Sequence, residues 1–190
     1  IRDKYLNRIN KSVDRLIYLV KDLDMIAELE RGRINIEFTT FNLTALVQDV
    51  IDLLEIKAEK NNIRLSLNYP IHQPIKVVGD IQKIQQVLIN LIVNAINYSN
   101  PNTEVIIDFD DFDDKIQVSI KDQGVGIKQE DLDRVFERFY RVDKSRNRNN
   151  GGSGLGLAIV KHILEAHKQK IYVSSKVGKG STFSFYLQKV

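Results

Sequence analysis

The sequence predicts an α+β domain in which helices cover one face of a mostly antiparallel sheet, with one long helix before it. Three observations carry this prediction. An apolar heptad seam runs through the start of the chain, segments of strand length alternate apolar and polar residues, and longer segments between them place apolar residues at helical spacing. Of the 190 residues, 43% are hydrophobic, which is enough for one core with an appended helix.

Composition excludes several classes of protein. The 28 basic and 25 acidic residues are interspersed, with a net charge of +3, so no basic surface predicts nucleic acid as a partner. The absence of cysteine excludes disulfides, thiolate metal sites and a cysteine nucleophile. No apolar run approaches the roughly 20 residues of a membrane span. The chain opens on Ile1 inside a helical pattern, which predicts a piece of a longer protein with room for membrane parts upstream.

The first predicted element is a helix that favours a helical partner. Its apolar residues recur at alternating spacings of three and four, which is typical of a bundle or coiled coil; the alternative is a helix packed on its own domain. The seam consists of Leu6, Ile9, Val13, Leu16, Val20, Leu23 and Ala27. Gly32, between two arginines, predicts the end of this helix. It also predicts a boundary between a helical segment, 1–31, and a domain, 32–190.

The domain begins with a predicted strand and two capped helices. Ile34, Ile36 and Phe38 alternate as a strand, and Asn42 is a predicted N-cap for a helix that runs to about residue 60. Asp80 is a second predicted N-cap. The remaining predicted elements are a strand over 63–67, a helix over 81–98, a hairpin of 105–109 and 116–120, a short helix over 132–140, a helix over 155–166, and two strands joined by a turn at 178–180.

The helix after Asp80 carries a polar face of unusual composition. Asn90, Asn94 and Asn97 share this face with Gln86, opposite an apolar stripe. Asn is a mediocre helix former, so its repetition needs a reason. A carboxamide oxygen is a suitable ligand for Mg²⁺, which takes few protein ligands. The alternative is a solvated polar face.

Asp122 follows an apolar strand and precedes Gly124 and Gly126, which permit positive φ and the close approach of a flat ring. A carboxylate only accepts hydrogen bonds, so it can accept one from the exocyclic amine of adenine but not from the carbonyl of guanine. The motif therefore predicts ATP in preference to GTP. An ordinary turn is the alternative.

A glycine-rich segment opens the helix predicted over 155–166. Its amides and the helix dipole predict a phosphate site, although a purely structural loop remains an alternative. It lacks the Walker closing residues and the Rossmann spacing. The segment consists of Gly152, Ser153, Gly154, Leu155, Gly156 and Leu157. Among the cations of the preceding polar stretch (Arg141, Lys144, Arg146 and Arg148), we assign only Arg141 to the triphosphate.

In this order, the motifs resemble those of the sensor histidine kinases, whose catalytic domain belongs to an ATPase superfamily shared with gyrase, Hsp90 and MutL. Residues 86–99 are similar to the N box, 122–126 to the G1 box, 136–139 to the F box and 152–157 to the G2 box. The resemblance implies the α/β sandwich known as the Bergerat fold. It also implies a mobile ATP lid between the F and G2 boxes.

The resemblance implies ATP and Mg²⁺ as cofactors. Asn94 would bind Mg²⁺, Asn90 would lie close to the ion or the phosphates, Asp122 would bind the adenine amine and Tyr98 would lie near the nucleotide. Gly154 and Gly156 would approach the phosphates, with Arg141 near the γ-phosphate.

The resemblance further implies that 1–31 is the second helix of a dimerisation and phosphoacceptor hairpin, which forms a four-helix bundle in a homodimer. ATP would phosphorylate a histidine, and a cognate response regulator would take the phosphoryl group on an aspartate. The implied location is a cytoplasmic domain of a bacterial inner-membrane sensor. Two rivals remain: a hydrolysing ATPase, which would need a glutamate where Val93 precedes Asn94, and a non-catalytic nucleotide-binding or dimerisation module.

The sequence departs from the family pattern at three places. Asn97 stands where the family often has lysine, and Lys168-Gln169 replaces the usual Gly-Gly after a histidine. The family's phosphoacceptor box is missing. The histidines present are His72, His162 and His167, for which we predict structural or surface roles.

Overall fold

A computed structural model of the protein describes residues 35–70, 73–142 and 153–190, together with seven helical residues between positions 13 and 27. Five residues of the predicted seam are among those seven. Ala27 is partly buried, and the other four have exposed fractions between 43% and 61%: Val13, Leu16, Val20 and Leu23. An apolar helix face exposed to water lacks the packing that usually stabilises it. The boundary predicted at Gly32 lies outside the described residues.

The described residues form one sheet of seven strands: β1 (Thr39–Asn42), β2 (Ile63–Asn68), β3 (Lys76–Gly79), β4 (Thr103–Asp111), β5 (Lys115–Lys121), β6 (Ile171–Lys176) and β7 (Gly180–Lys189). Their order is β1-β3-β7-β5-β4-β2, with β6 beside the first half of β7. Only β2 and β4 pair in parallel; the other pairs are antiparallel.

Within the described part of the domain, three α-helices accompany the sheet: α1 (Leu43–Lys60), α2 (Ile81–Tyr98) and α3 (Gly156–Ala166). Both predicted caps are confirmed. Asn42 accepts hydrogen bonds from two amides of the first turn of α1, and Asp80 does the same for α2. α3 differs from them because Leu155, at its N-cap position, offers no side-chain cap.

The core lies between the helices and one face of the sheet, which confirms the predicted α+β class. Alternate residues of the central strands point into it and are buried: Val105, Ile107, Ile116, Val118, Ile120, Phe183, Phe185 and Leu187. On the opposite face, Lys121 pairs with Asp108 at 2.7 Å, and the Tyr172 and Tyr186 rings meet edge to face. One core therefore packs α2, the end of β5 and the start of α3 together.

Two local predictions are wrong. Residues 35–38 form no strand, and the strand lies at 39–42 instead; the Phe38 ring packs edge-on against His167 at 5.4 Å. The helix predicted over 132–140 is a series of turns after a 3₁₀ turn at Gln129–Asp131, and Phe139 adopts a φ of 60°. A helix cannot continue through a residue in that conformation.

Among the described residues, no helix combines the length and hydropathy needed to cross a bilayer.

Candidate nucleotide-binding site

The turn after β5 buries a carboxylate and fixes its orientation. Asp122 is 8% exposed, and its Oδ1 accepts hydrogen bonds from the Gly124 amide at 2.9 Å and the Ser181 amide at 3.2 Å. Burial raises the pKa of the Asp122 carboxyl above its ordinary value of 3.8, and the two amide donors offset this effect only in part. Because both bonds end on Oδ1, Oδ2 is the oxygen that a ligand can use.

Gly124 brings this turn against the end of α2. A Cβ at Gly124 would lie 2.2 Å from the Tyr98 carbonyl oxygen, and the Val125 amide donates to the same oxygen at 3.3 Å. The backbones of Ser99 and Gly124 also form an isolated bridge. Tyr98 and Asp122, which the sequence places in separate motifs, are therefore neighbours in the structure.

The polar face of α2 contains an unsatisfied buried group. Asn90, Asn94 and Tyr98 are partly buried and occupy successive turns of one face. Asn90 Nδ2 is buried and has no hydrogen-bond partner, and the same is true of Ser99 Oγ. A buried polar atom without a partner destabilises the fold unless a ligand or water satisfies it. Asn90 Nδ2 therefore has hydrogen-bonding capacity left for a polar ligand or water.

The glycine-rich segment begins α3 directly opposite Asn90. A Cβ at Gly156 would lie 3.6 Å from Asn90 Oδ1, so the two motifs face each other. Gly154 has a φ of 74°, and its carbonyl accepts a hydrogen bond from the Phe139 amide at 2.9 Å. Ser153 Oγ accepts from the Leu155 amide at 3.2 Å. With no side-chain cap on α3, its first amides are available to an anion such as phosphate.

The residues of the glycine-rich segment differ in which of their atoms can face a nucleotide. Leu155 is fully buried in the core, so only its backbone can face a nucleotide. Leu157 is partly buried against the core. Gly152 lies outside the described residues, as do Lys144, Arg146 and Arg148.

Arg141 follows a segment anchored on the domain. The Tyr140 hydroxyl donates to Asp131, and the Arg134 guanidinium lies 4.2 Å from the centre of the Tyr140 ring. The Phe136 ring packs edge to face on Phe183 at 6.3 Å. Arg141 itself is partly buried. These contacts place Arg141 at the end of a fixed segment and at the start of the predicted lid.

The donor set suits Mg²⁺ held jointly with a nucleotide. Within the described ranges, no group of three His, Cys, Asp or Glu side chains comes together as a metal cluster. Asn94 offers one neutral oxygen on the face that carries Asn90. Mg²⁺ commonly takes one or two protein oxygens and completes its shell with phosphates and water, so this arrangement fits.

A separate open cleft of about 600 Å³ touches the Asp122 turn at one residue. Only Gln123 belongs to both places. The cleft is lined by Glu59, Asn62, Ile63, Arg64, Asn102, Thr103, Glu104 and Gln123. Its one cation pairs with a carboxylate, Arg64 with Glu104 at 2.9 Å, and it contains none of the asparagines or glycines of the N, F or G2 motifs.

Sequence reasoning missed Ser175 and Ser181. Ser181 donates its amide to Asp122 Oδ1 and accepts the Asp122 amide on its carbonyl at 2.9 Å. Ser175 contacts the Ser181 hydroxyl at 2.9 Å. The Gly178–Gly180 turn was a visible marker of a hairpin, but nothing local indicates that the hairpin meets Asp122.

The fold and these motifs define a nucleotide-binding ATPase domain. Residues 79–190 match the family described as "Histidine kinase-, DNA gyrase B-, and HSP90-like ATPase", and the chain belongs to this family. The matched range contains the Asp80 cap, the asparagine face, the Asp122 turn and the glycine-rich start of α3.

The similar proteins within this family are sensor histidine kinases. The chain is 35% identical to the sensor histidine kinase WalK of Bacillus subtilis over 189 residues, which cover 98% of this chain and 31% of WalK. The histidine kinase AdeS of Acinetobacter baumannii has a similar structure, with a TM-score of 0.80 and 28% identity over 96% of this chain and 83% of the AdeS chain. The catalytic domain of histidine kinase ThkA aligns with a TM-score of 0.68 and 33% identity, covering 80% of this chain and 96% of that domain. The chain therefore spans about a third of WalK.

Proposed function

We propose that this chain is the ATP-binding catalytic region of a sensor histidine kinase, which transfers the γ-phosphoryl group of ATP to a histidine outside these residues. One observation carries the proposal. The Asp122 carboxylate is buried, two backbone amides hold its Oδ1, and its other oxygen can accept a hydrogen bond beside the end of α2. A fixed acceptor of this kind matches the exocyclic amine of adenine.

The remaining motifs would hold the rest of the nucleotide. Asn94 would bind Mg²⁺, which neutralises phosphate charge, and Asn90 would donate its unused Nδ2 to a phosphate oxygen. Gly124, Gly126 and Tyr98 would contact the nucleoside. The phosphates would meet the amides of the glycine-rich segment, formed by Gly152, Ser153, Gly154, Leu155, Gly156 and Leu157. Arg141 would stabilise charge on the γ-phosphoryl group during transfer.

The described histidines are poor acceptors of the phosphoryl group. His167 is 5% exposed, donates through Nδ1 to the Ile163 carbonyl at 2.8 Å, and accepts the Asp80 amide on Nε2 at 3.0 Å. His162 lies on α3 with its Nδ1 3.5 Å from Glu165. A ring nitrogen that attacks phosphorus needs a free lone pair, and both nitrogens of His167 are engaged. His162 is fixed on α3 of the catalytic domain itself, beside Glu165, so we assign the acceptor to another segment of the intact protein.

The exposed apolar seam supports a dimeric setting. We propose that 1–31 is the second helix of a hairpin that forms a four-helix bundle with a second copy, and that 32–190 is the catalytic domain. The phosphohistidine would then pass its phosphoryl group to an aspartate of a response regulator. In the intact protein this region would lie on the cytoplasmic side of a membrane sensor.

A hydrolysing role has less support. Val93, directly before Asn94, packs against the core and has no group that could activate water. Transfer to a protein histidine needs no such residue in this domain.

Labelling of the intact protein with γ-labelled ATP tests the proposal. We expect a phosphoryl group that is lost in acid and kept in base, as a phosphohistidine is. Asn94→Ala should abolish labelling, whereas Gln82→Ala, at an exposed position in the first turn of the same helix, should retain it. Acid-stable label, or full labelling of the Asn94 variant, would contradict the assignment.

A further inference from the structure

Ser175 connects the Asp122 turn with the hairpin formed by β6 and β7. It lies near the end of β6 and is partly buried. Its hydroxyl has three partners: the Ile127 amide at 2.8 Å, the Gly180 carbonyl at 2.9 Å and the Ser181 hydroxyl at 2.9 Å. These partners belong to the exit of the turn and to the start of β7.

Hydrogen-bonding capacity determines the direction of all three bonds. A hydroxyl has one proton and two lone pairs. The Ile127 amide can only donate to Ser175, and the Gly180 carbonyl can only accept from it. Ser175 therefore uses its proton on Gly180, and the bond with Ser181 must be donated by Ser181. The full capacity of the Ser175 hydroxyl is used, and a methyl group in its place would remove every bond.

The turn and the hairpin meet with no space for side chains. A Cβ at Gly126 would lie 2.2 Å from the Lys176 carbonyl oxygen, and a Cβ at Gly180 would lie 2.0 Å from the Asp122 carbonyl oxygen. The Gly178 amide donates to the Val125 carbonyl at 2.8 Å. The backbones of the Asp122 turn and the β6–β7 hairpin are in direct contact here. Hydrogen bonds, and not packed side chains, therefore set the relative position of the turn and the hairpin.

Two of the Ser175 bonds, to Ile127 and to Ser181, act on segments that adjoin Asp122. Ile127 ends the turn that starts at Asp122, so its bond to Ser175 fixes the exit of the turn. Ser181 supplies one of the two amides on Asp122 Oδ1, and its hydroxyl bond to Ser175 adds to the backbone bond from the Asp122 amide in holding that donor. Loss of both Ser175 bonds would leave only the backbone contacts to orient the carboxylate and would make its free oxygen a less well-aimed acceptor.

We propose that Ser175 is a positioning residue for base recognition: its hydroxyl holds the Asp122 turn and Ser181 in the arrangement that directs the Asp122 carboxylate at adenine. This inference rests on the proposed function, because it assumes that Asp122 contacts the base. It adds a residue that does not touch the nucleotide yet sets the preference of the site for adenine over guanine.

Nucleotide titrations of three single variants test the inference. Ser175→Ala should weaken Mg-ATP binding about tenfold and reduce the preference for ATP over GTP, measured by competition. Ser175→Thr keeps the hydroxyl in a residue that suits a strand, so it should restore both values. Ser174→Ala, at the exposed neighbouring position, is the matched control and should bind as the parent protein does. Thermal unfolding of each variant accompanies the titrations.

The outcomes separate the inference from the proposed function. Ser175→Ala with unchanged affinity and base preference would overturn the inference. It would also be overturned if ATP and GTP affinity fell in equal proportion with the melting temperature, because that result indicates a merely structural role. A parent protein that does not bind Mg-ATP, or an Asp122→Asn variant that binds it normally, would overturn the proposed function and the inference with it.

Discussion

Replacing Asp122 by Asn changes one atom at the centre of the site and tests the assignment of adenine recognition. The Asn oxygen can keep both amide bonds now made to Oδ1, from Gly124 and Ser181. The amide nitrogen then occupies the place of Oδ2. It presents a donor where adenine also presents a donor, so the hydrogen bond to the base is lost.

The magnitude follows from the kind of bond that is removed. A hydrogen bond to a charged acceptor contributes about 1.5–3 kcal/mol, which corresponds to roughly 10- to 160-fold weaker binding of Mg-ATP. The same substitution should favour the carbonyl of guanine, so GTP should gain affinity relative to ATP. The thermal stability of the variant should not fall together with its affinity for ATP. Burial raises the pKa of Asp122, which shows that its charge is disfavoured in the fold. Removing that charge should therefore leave the melting temperature of the free protein unchanged or higher.

Isothermal titration calorimetry with Mg-ATP and Mg-GTP, alongside thermal unfolding, measures both effects. Asp113→Asn makes the same chemical change at an exposed position in the β4–β5 hairpin and should have no effect on binding. The reasoning is refuted if Asp122→Asn binds ATP as tightly as the parent protein. It is also refuted if affinity falls only because the variant has lost several degrees of thermal stability.

Three further predictions concern pH and backbone conformation. ATP affinity should fall as the pH drops through the raised pKa of Asp122, since the protonated carboxyl is a poorer hydrogen-bond acceptor. The same raised pKa means that Asp122, taken alone, stabilises the folded state at low pH, and that this stabilisation is lost as the pH rises through the folded-state pKa. In calorimetric titrations across pH, the Asp122→Asn variant should not show this fall of ATP affinity at low pH. An identical pH profile of ATP affinity in both proteins would contradict the assignment of Asp122 to the base. Gly180→Ala should lower the free energy of unfolding by about 2–4 kcal/mol in urea denaturation, because its φ is 100° and its Cβ would meet the Asp122 carbonyl. Gly178→Ala, with a φ of 76° and nothing within 4 Å, should lose only about 1 kcal/mol, and equal losses would show that the close contact has no effect. Lys168→Gly should raise the free energy of unfolding by about 0.5–1 kcal/mol, because Lys168, two residues after the end of α3, has a left-handed φ of 59° that glycine adopts without strain. A loss of stability would contradict this explanation.

Features encoded locally were predictable from the sequence. The Asn42 and Asp80 caps depend on a side chain and amides two or three residues away, and both helices begin where predicted. The β4–β5 hairpin follows from two alternating segments joined by a short acidic turn. Asn90, Asp122 and Gly156 belong to motifs whose residue types already indicate their chemistry.

Features that depend on distant contacts were not predictable. β3 has only four residues and exists because β1 and β7 pair with it on either side. Phe38 lies outside the strand in which the sequence places it, and its ring packs on His167, which is far along the chain. Ser181 reaches Asp122 across 59 residues, so no spacing rule connects them. The segment 132–140 has the composition of a helix, but Phe139 takes a left-handed conformation where its amide bonds to Gly154.

An NMR titration of the isotope-labelled chain with Mg-ATP tests the location of the nucleotide site most directly. The account predicts that the largest shifts will occur at the amides of Gly124, Ser181 and Gly156, and at the side-chain amide of Asn90, whose Nδ2 has no partner in the free protein. Unchanged resonances at these positions, or shifts centred on the open cleft around Asn62 and Asn102, would contradict it.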